Sequence, residues 1–334
     1  MVDKDLTIII PHYNSIETLY LMLDSIVPEG KGVEVLVVDD KSDPGNSDFS
    51  DLKHKFPDVI FLRNETDKKG AGVCRNTGLS YLKTRWVMFA DADDCLIAGW
   101  YKTVSSYFTC DKDIVYFPPE GARGKYYRDL MRYYMITGKK HEYILRLNHN
   151  IPVSKLIRSS LIIENKITFD EIMWANDVCF SVKSGIAASR VDACPVPIYR
   201  IVDHEGSLTT IATPEAFFVR ADANIRRMAI IRDNVSRSIY KSYQGGIAAY
   251  YYLTVRRLFG YKAASKIYDM AKKYNVPFFP SVLCILNKLY QGIVLKLNPK
   301  AYTVVVGNPA KVVKRRIAGG QEDLAFGKQN NDKI

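Results

Sequence analysis

Four short apolar runs occur in the N-terminal part of the chain, and each is bounded by polar or turn-forming residues. These runs are Leu6–Ile10, Val33–Val38, Val59–Leu62 and Trp86–Ala90. Apolar runs of this length, bounded in this way, predict strands that are buried on both faces of a sheet.

Amphipathic stretches separate the apolar runs. Leucine and isoleucine recur at helical spacing over Leu19–Ile26, and Asn14 with Glu17 favours a capping box at the start of this helix. A second helix is predicted over about Gly72–Leu82. This alternation of strands and helices predicts an α/β fold with an open, mostly parallel sheet that carries helices on both faces.

Polar clusters follow three of the predicted strands. They are Pro11–Asn14, the pair Asp39 and Asp40, and Asp91–Asp94. In open α/β sheets, ligands bind beyond the carboxyl ends of the strands, which parallel strands bring to one edge. We therefore expect the three clusters to converge in space and to form the functional site.

The remainder of the chain is predicted to be largely helical. Residues 123–149 predict one helix, and a basic helical pattern extends from about Pro214 to Leu297. We expect three units along the chain. A catalytic domain covers residues 1–212, a basic helical region that contacts a membrane covers 213–300, and a partly flexible tail covers 301–334.

Charge is distributed unevenly between the two parts of the chain. Residues 1–205 contain 26 Lys or Arg against 29 Asp or Glu, whereas residues 206–334 contain 21 against 7. Between Gly245 and Arg316, 13 basic residues and several tyrosines accompany one acid, Asp269. We expect this region to contact an anionic membrane surface. A solvated basic face of a helical bundle is the alternative, and no known nucleic-acid-binding motif is present.

The six cysteines form no CxxC pair, and the N-terminus lacks a basic segment followed by a long apolar run. We therefore expect no disulfide framework and no signal peptide, which favours a cytoplasmic protein. The apolar stretch Phe279–Leu297 contains Pro280, Asn287, Lys288 and Gln291, which favour an interfacial helix over a membrane span. The protein is predicted to be peripheral at the inner face of the cell membrane, in an oligomeric state that the sequence leaves open.

Asp91, Asp93 and Asp94 place three carboxylates within four positions at a strand end. Their mutual repulsion favours protonation of one of them unless a cation is bound. Oxygen ligands suit Mg²⁺ or Mn²⁺, and Mg²⁺ sites commonly include substrate phosphates. A turn followed by a helix N-cap is the alternative interpretation of this tripeptide when it is taken alone.

Four segments together resemble glycosyltransferase family 2, whose members have the GT-A fold. They are IIIPHYNS at 8–15, VLVVDDKSD at 35–43, GAGVCRNTGL at 70–79 and FADADD at 89–94. The segment SKLIRSSLIIENKITFDEIMWANDVCF at 154–180 resembles the acceptor region of this family, and YRIVDHEGSLT at 199–209 is a further match. The segments follow the family order over about two thirds of the chain.

The resemblance implies a metal-dependent, inverting enzyme of cell-surface polysaccharide synthesis, which makes capsule, O-antigen or exopolysaccharide. Its donor would be a nucleotide-sugar, with UDP-sugar as the expected form, and its acceptor a glycan or polyprenyl-linked molecule. The implied nucleotide-sugar-binding residues are Pro11, Tyr13, Asn14, Asp39, Asp40, Arg75, Asn76, Asp91, Ala92, Arg200 and Ser207. Asp93 and Asp91 are the implied ligands of Mn²⁺ or Mg²⁺, with Asp93 as the direct one. His204 is a further candidate ligand, and a structural or surface histidine is the alternative.

Asp177 is the implied catalytic base. The family usually has Glu-Asp at this place, and this chain has Asn176-Asp177. Asp177 would deprotonate the acceptor hydroxyl for a single displacement that inverts the anomeric configuration. Local sequence also allows Asp177 to be the N-cap of a helix over Val178–Lys183.

Residues 301–317, AYTVVVGNPAKVVKRRI, resemble the closing segment of left-handed β-helix acyltransferases. The hexapeptide repeats of that fold are absent upstream, so we infer no acyltransferase activity. Two other functional classes remain as alternatives. A nucleotidyltransferase would need a basic Gly-rich signature, which Pro11–Ser15 lacks. A non-catalytic sugar-nucleotide-binding or membrane-binding protein would not need Asp93 and Asp177.

Overall fold

A seven-stranded sheet forms the centre of the computed structural model, which describes residues 4–122, 124–202, 212–298, 314–317 and 320–323. Its strands are β1 (Leu6–His12), β2 (Val33–Asp39), β3 (Val59–Arg63), β4 (Trp86–Phe89), β6 (Ile114–Tyr116), β7 (Lys155–Arg158) and β8 (Val191–Ala193). Two short ribbons pair β5 (Cys95–Leu96) with β9 (Tyr199–Arg200) and β10 (Lys314–Ile317) with β11 (Gly320–Asp323).

The order of the strands in the central sheet is β3-β2-β1-β4-β7-β6-β8. Neighbouring strands among β1 to β4 are parallel, and so are β6 and β8. Only β7 runs antiparallel to both of its neighbours within this sheet. The prediction of a mostly parallel α/β fold is therefore confirmed, and each of the four predicted strands is present.

Strand β1 is buried on both faces, as its largely apolar sequence predicts. Ile8 and Ile10 contribute to the core beneath helix α1 (Ile16–Ile26), whereas Ile9 faces the second core on the other side of the sheet. Helix α3 (Ala71–Ser80) packs closely here, because a Cβ atom on Gly78 would lie 2.5 Å from Cγ2 of Ile9. Each buried isoleucine contributes about 1.5–3 kcal/mol of transfer free energy.

Eleven further α-helices lie in the described part of the chain, and all but α2 follow β4. They are α2 (Ser50–Lys55), α4 (Trp100–Ser105), α5 (Lys125–Thr137), α6 (Glu142–Asn148), α7 (Ser159–Glu164), α8 (Val178–Ala187), α9 (Pro214–Asn234), α10 (Arg237–Tyr243), α11 (Ile247–Phe259), α12 (Tyr261–Lys273) and α13 (Val282–Leu297).

Three helix predictions need correction. The single helix expected over 123–149 is divided into α5, a short 3-10 segment and α6, because Gly138 has a φ of +64° that ends α5. Gly246 and Gly260, with φ of +63° and +84°, likewise divide the basic helical pattern. Asn14 does not cap α1: Ser15 is the residue at its N-terminus, and no side chain caps it.

The helical region packs on the sheet domain through its own core. Residues of α9, α11 and α12 form this core together with Leu147 and Val182. Arg227 Nη2 donates to the carbonyl of Leu147 at 2.8 Å, and Arg226 pairs with Asp170 at 3.0 Å. The predicted boundary at 212–213 coincides with the start of α9, and the three-unit division stays a prediction.

No helix among the described residues is both long enough and apolar enough to cross a membrane. The segment 301–317 that resembles an acyltransferase tail lies mostly outside the described residues. Its last four residues form β10, which pairs with β11.

Candidate functional site

Strands β2, β1 and β4 are adjacent and parallel, so their carboxyl ends share one edge of the sheet. Pro11 and His12, at the end of β1, lie opposite Val38 and Asp39 in the register of β2. The N–H of Ala90, directly after β4, donates to a β1 carbonyl at 3.1 Å. The expectation that the strand-end clusters meet at one edge is thus confirmed.

Asp39 is buried and is held by the end of β1. The Ser15 N–H donates to Nε2 of His12 at 3.2 Å, so Nδ1 carries the proton and donates to Asp39 Oδ1 at 3.1 Å. The Ser42 N–H donates to the other Asp39 oxygen at 3.2 Å. Burial lowers the pKa of His12, which keeps the ring neutral, as this pattern requires. Asp39 therefore fixes the loops that follow β1 and β2.

Asp40 fixes the segment that leads from β3 to α3. Its Oδ1 accepts from the Asn64 amide at 2.7 Å, and its Oδ2 accepts from the Gly70 N–H at 2.6 Å. Each carboxylate oxygen can accept a second hydrogen bond. Binding of the base and ribose by Asp39 or Asp40 stays a prediction, because the hydrogen bonds observed at both carboxylates are to protein groups.

The loop after β1 is fixed by Asn14, which has a left-handed φ of +49°. Its side chain donates to Asp43 Oδ2 at 2.9 Å and accepts from the Asp43 N–H at 2.8 Å. The neighbouring Tyr13 exposes about half of its surface, with Lys69 Nζ 5.1 Å from the ring centroid. Among the three residues predicted to line the nucleotide pocket, Tyr13 thus offers an exposed aromatic face, and Asn14 has a structural role.

The acidic cluster after β4 is organised by Tyr199. Tyr199 donates to Asp94 Oδ2 at 2.7 Å and accepts from the Asp91 N–H at 2.9 Å. The Val202 N–H donates to Asp94 Oδ1 at 2.8 Å, so Asp94 faces the protein. Ligand oxygens of Asp91, Asp93 and Asp94 all lie within 4.8 Å of one another.

This cluster fits a divalent cation. Burial, with the charges of Asp91 and Asp93 added to it, raises the pKa of Asp94 to about 7. A cation would relieve the repulsion among the three carboxylates. Asp91 and Asp93 are partly exposed, whereas Asp94 and Ala92 are buried. Asp91 and Asp93 are therefore the residues best placed to hold Mn²⁺ or Mg²⁺.

Arg75 on α3 connects the acidic cluster to the acceptor side of the site. It is 4% exposed, and its Nη2 donates to Asp91 Oδ1 at 2.5 Å. Its Nη1 donates to Asn176 Oδ1 at 2.9 Å, and the guanidinium carbon lies 5.3 Å from the Phe169 ring centroid. The amide in place of the family's usual acid thus orients Arg75 without adding a second negative charge.

The segment 170–177 reaches Arg75 because the second residue of α3 is Gly72. A Cβ atom on Gly72 would lie 2.3 Å from the carbonyl oxygen of Asp170 and 2.9 Å from Cβ of Asn176. Ala175 has a φ of +57°, and the chain then enters α8 at Val178. This turn brings Asp177 close enough to Arg75 and Asp91 to interact with both charges.

Asp177 is located at the N-cap position of α8, but its side chain makes no capping hydrogen bond. Burial raises the pKa of Asp177, and the positive charge of Arg75 opposes this shift. A carboxylate with a raised pKa beside a candidate cation site has the chemistry of a general base. The assignment of Asp177 as the base stays a prediction.

The sequence analysis did not identify Lys155, a buried lysine whose charge interacts with that of Asp177. Its Nζ donates to the carbonyl of His149 at 2.6 Å and lies 5.6 Å from the Tyr116 ring centroid. Burial lowers the pKa of Lys155 to about 7, and the charge of Asp177 acts against this shift. Nothing in the sequence distinguishes Lys155, because a lysine among apolar residues is also typical of an exposed strand at the edge of a sheet.

Two other predicted donor-site residues have protein partners. The Asn76 side chain donates to the Phe169 carbonyl at 3.0 Å and accepts from the Phe169 N–H at 2.8 Å. Arg200 is exposed and forms an ion pair with Glu120 at 2.9 Å. His204 and Ser207 lie outside the described residues, so their predicted roles stay predictions.

Comparison with known proteins gives a consistent result. Residues 7–164 match the family model described as Glycosyl transferase family 2. The chain is 26% identical to the poly(ribitol-phosphate) beta-glucosyltransferase of Bacillus spizizenii over 64% of this chain and 35% of that protein. It is 24% identical to glycosyltransferase GlyA of Streptococcus pneumoniae over 69% of this chain and 35% of that protein. The chain thus spans about a third of the length of these relatives.

Solved structures share the fold. The crystal structure of S. aureus TarS 1–349 in complex with UDP-GlcNAc aligns with a TM-score of 0.63 at 18% identity, covering 96% of this chain and 99% of that chain. Mannosyltransferase PcManGT from Pyrobaculum calidifontis in complex with GDP-Man and Mn²⁺ aligns with a TM-score of 0.55 at 18% identity, covering 89% and 81% of the two chains. The prediction of a GT-A fold is confirmed.

Proposed function

Residues 7–164 match the model of glycosyltransferase family 2, and from this premise we propose that the chain transfers a sugar from a UDP-sugar to a glycan or lipid-linked acceptor. The relatives support this class, because one is named as a poly(ribitol-phosphate) beta-glucosyltransferase and TarS was crystallised with UDP-GlcNAc. The first name points to a polymeric acceptor, and we propose that the product is a cell-surface polymer. The enzyme would act at the inner face of the cell membrane.

The observation that carries the proposal is the bridge made by Arg75. This buried guanidinium contacts Asp91 in the acidic cluster and Asn176 next to Asp177. One side chain therefore extends from the candidate cation site to the residue next to the candidate base. Displacement at a sugar diphosphate needs both a cation and a base.

On the donor side, Asp91 and Asp93 would hold Mn²⁺ or Mg²⁺, which supplies charge stabilisation for the leaving diphosphate. Arg75 adds a positive charge that is already oriented by its two hydrogen bonds, so little reorganisation is needed during reaction. Tyr13 offers its exposed ring to the nucleoside.

On the acceptor side, the carboxylate of Asp177 takes the proton of the acceptor hydroxyl. The oxygen then forms a bond to the anomeric carbon while the bond from that carbon to the diphosphate breaks, and the nucleoside diphosphate leaves with the electron pair. A single displacement inverts the anomeric configuration. The raised pKa of Asp177 makes it a better proton acceptor than an exposed aspartate.

The test measures release of UDP from UDP-glucose and UDP-N-acetylglucosamine by the full chain, with Mn²⁺ or with EDTA. Water and a polyprenyl-phosphate-linked sugar serve as acceptors. We expect Asp177→Asn to retain donor binding and to lose roughly 10²–10⁴-fold in turnover. Asp269→Asn, which changes an exposed acid on α12, is the matched control and should turn over like the wild type.

Two results would contradict the proposal. Wild-type turnover by Asp177→Asn would remove Asp177 from the role of base. Failure of the wild type to bind or cleave any UDP-sugar in the presence of Mn²⁺ would remove the donor assignment itself.

A further inference from the structure

Helix α13 exposes an unusually apolar surface. Ser281 caps this helix, since its Oγ accepts from the Cys284 N–H at 3.0 Å. Eight of its apolar side chains are between 39% and 75% exposed: Val282, Leu283, Ile285, Leu286, Leu289, Tyr290, Ile293 and Leu297. We call this set the α13 apolar face. Phe279, directly before the helix, is 70% exposed and extends it.

The most exposed side of α13 is apolar, unlike that of an ordinary surface helix. Cys284 and Val294 are buried against the protein, and the polar Asn287 and Gln291 are half-buried. The exposed positions 282, 286, 289, 293 and 297 follow helical spacing, so they form one continuous outward stripe. A stripe of this kind marks an interaction surface, because isolated exposed apolar residues do not line up in this way.

The dimensions of α13 indicate how it would meet a bilayer. Its 16 residues make a helix about 24 Å long, which is shorter than a hydrocarbon core of about 30 Å. The structure also contains no membrane-spanning helix among its described residues. Lying in the interface plane is the arrangement that buries the stripe along its full length.

The charge of the surrounding region indicates what the α13 apolar face binds. Residues 234–298 contain ten Lys or Arg against one acid, Asp269. Lys288 and Lys296 on α13 itself are exposed, and their stems can extend to lipid phosphates while the helix is inserted. Two copies of this basic region would repel each other, whereas an anionic lipid surface attracts it.

We propose that the α13 apolar face inserts into the interface of an anionic lipid bilayer. This deepens the proposed function, on which it rests, by naming the surface where a lipid-linked acceptor would be presented. The two ideas fail separately, because the following experiment measures membrane binding without donor or turnover.

The experiment is co-sedimentation of the full chain with vesicles of phosphatidylglycerol and phosphatidylcholine, and with vesicles of phosphatidylcholine alone. We expect binding to the anionic vesicles that weakens as salt is raised. The variant Leu286→Ser/Leu289→Ser should lose about a hundred-fold in partitioning, since each buried leucine contributes about ten-fold. Both leucines are exposed, so the melting temperature should stay that of the wild type.

The matched control is Leu21→Ser/Ile163→Ser, which changes exposed apolar residues on α1 and α7 that are 62% and 56% exposed. This variant should bind vesicles like the wild type. Equal vesicle binding by the α13 variant would overturn the proposal. So would a wild type that ignores vesicles but forms dimers in light scattering that the α13 variant abolishes, since the face would then bind a second copy.

Discussion

Replacement of Tyr199 by phenylalanine tests how the acidic cluster is built. The ring of Tyr199 is fully buried, so phenylalanine fills the same space and only the hydroxyl is lost. That hydroxyl donates to the Asp94 carboxylate at 2.7 Å and accepts from the Asp91 N–H at 2.9 Å. The change therefore leaves a buried carboxylate oxygen and a backbone donor without these partners.

The expected cost follows from these two bonds. A hydrogen bond to a charged group contributes roughly 1.5–3 kcal/mol and a neutral one about 1 kcal/mol, so the loss is about 3 kcal/mol. At about 2.1 cal/mol/K per residue, the unfolding entropy of a chain of 334 residues is about 0.7 kcal/mol/K, so the expected decrease in Tm is about 4 °C. Loss of the bond from Tyr199 also raises the pKa of Asp94 above its value of about 7, which weakens Mn²⁺ binding near neutral pH.

Thermal unfolding and Mn²⁺ titration calorimetry measure the two effects. Tyr101→Phe is the control, because the Tyr101 hydroxyl donates one surface hydrogen bond to the Lys31 carbonyl at 2.8 Å. We expect the control to stay within about 0.5 kcal/mol of the wild type. If Tyr199→Phe matched the control in both Tm and Mn²⁺ affinity, the argument that Tyr199 organises the cluster would be refuted.

Two further changes probe the acceptor side. The positive charges of Arg75 and Lys155 lower the pKa of Asp177, whereas the charge of Asp91 raises it. Lys155→Met should therefore raise this pKa and move the acid limb of the kcat/KM profile to higher pH. An unmoved limb, or a shift to lower pH, would contradict the electrostatic link between Lys155 and Asp177. Gly72→Ala should destabilise the protein by more than about 2 kcal/mol, because the new Cβ would lie 2.3 Å from the Asp170 carbonyl oxygen. In the control Gly45→Ala, the new Cβ meets nothing within 4 Å, so stability should not change. Equal unfolding midpoints of the two variants would refute the close approach at Gly72.

The sheet and the location of the site could be predicted from the sequence. Leu6–Ile10 and Val33–Val38 are short runs that are apolar except for Thr7 and Glu34, a pattern typical of strands buried on both faces of a sheet. Once parallel strands are inferred, Asp39 and Asp91 must lie at the same edge. Both predictions depend on the spacing of apolar residues and on the order of strands and helices, which can be inferred from a single sequence.

The contacts within the site could not be predicted, because they join residues that are distant in the chain. Arg75 meets Asn176 only because Gly72 lets the segment 170–177 approach α3. Tyr199, on β9, contacts Asp94 although the two residues are 105 positions apart in the chain. The breaks at Gly138 and Gly246 were missed for another reason: helical spacing continues through both glycines, and only their positive φ ends the helices.

The binding of UDP in the presence of Mn²⁺ tests the central claim that the strand-end acids hold a diphosphate through a divalent cation. Isothermal titration calorimetry should detect UDP binding by the wild type with Mn²⁺, loss of that binding with EDTA, and at least about ten-fold weaker binding by Asp93→Ala. Asp269→Asn should bind like the wild type. Equally tight UDP binding with EDTA, or by Asp93→Ala, would contradict the claim.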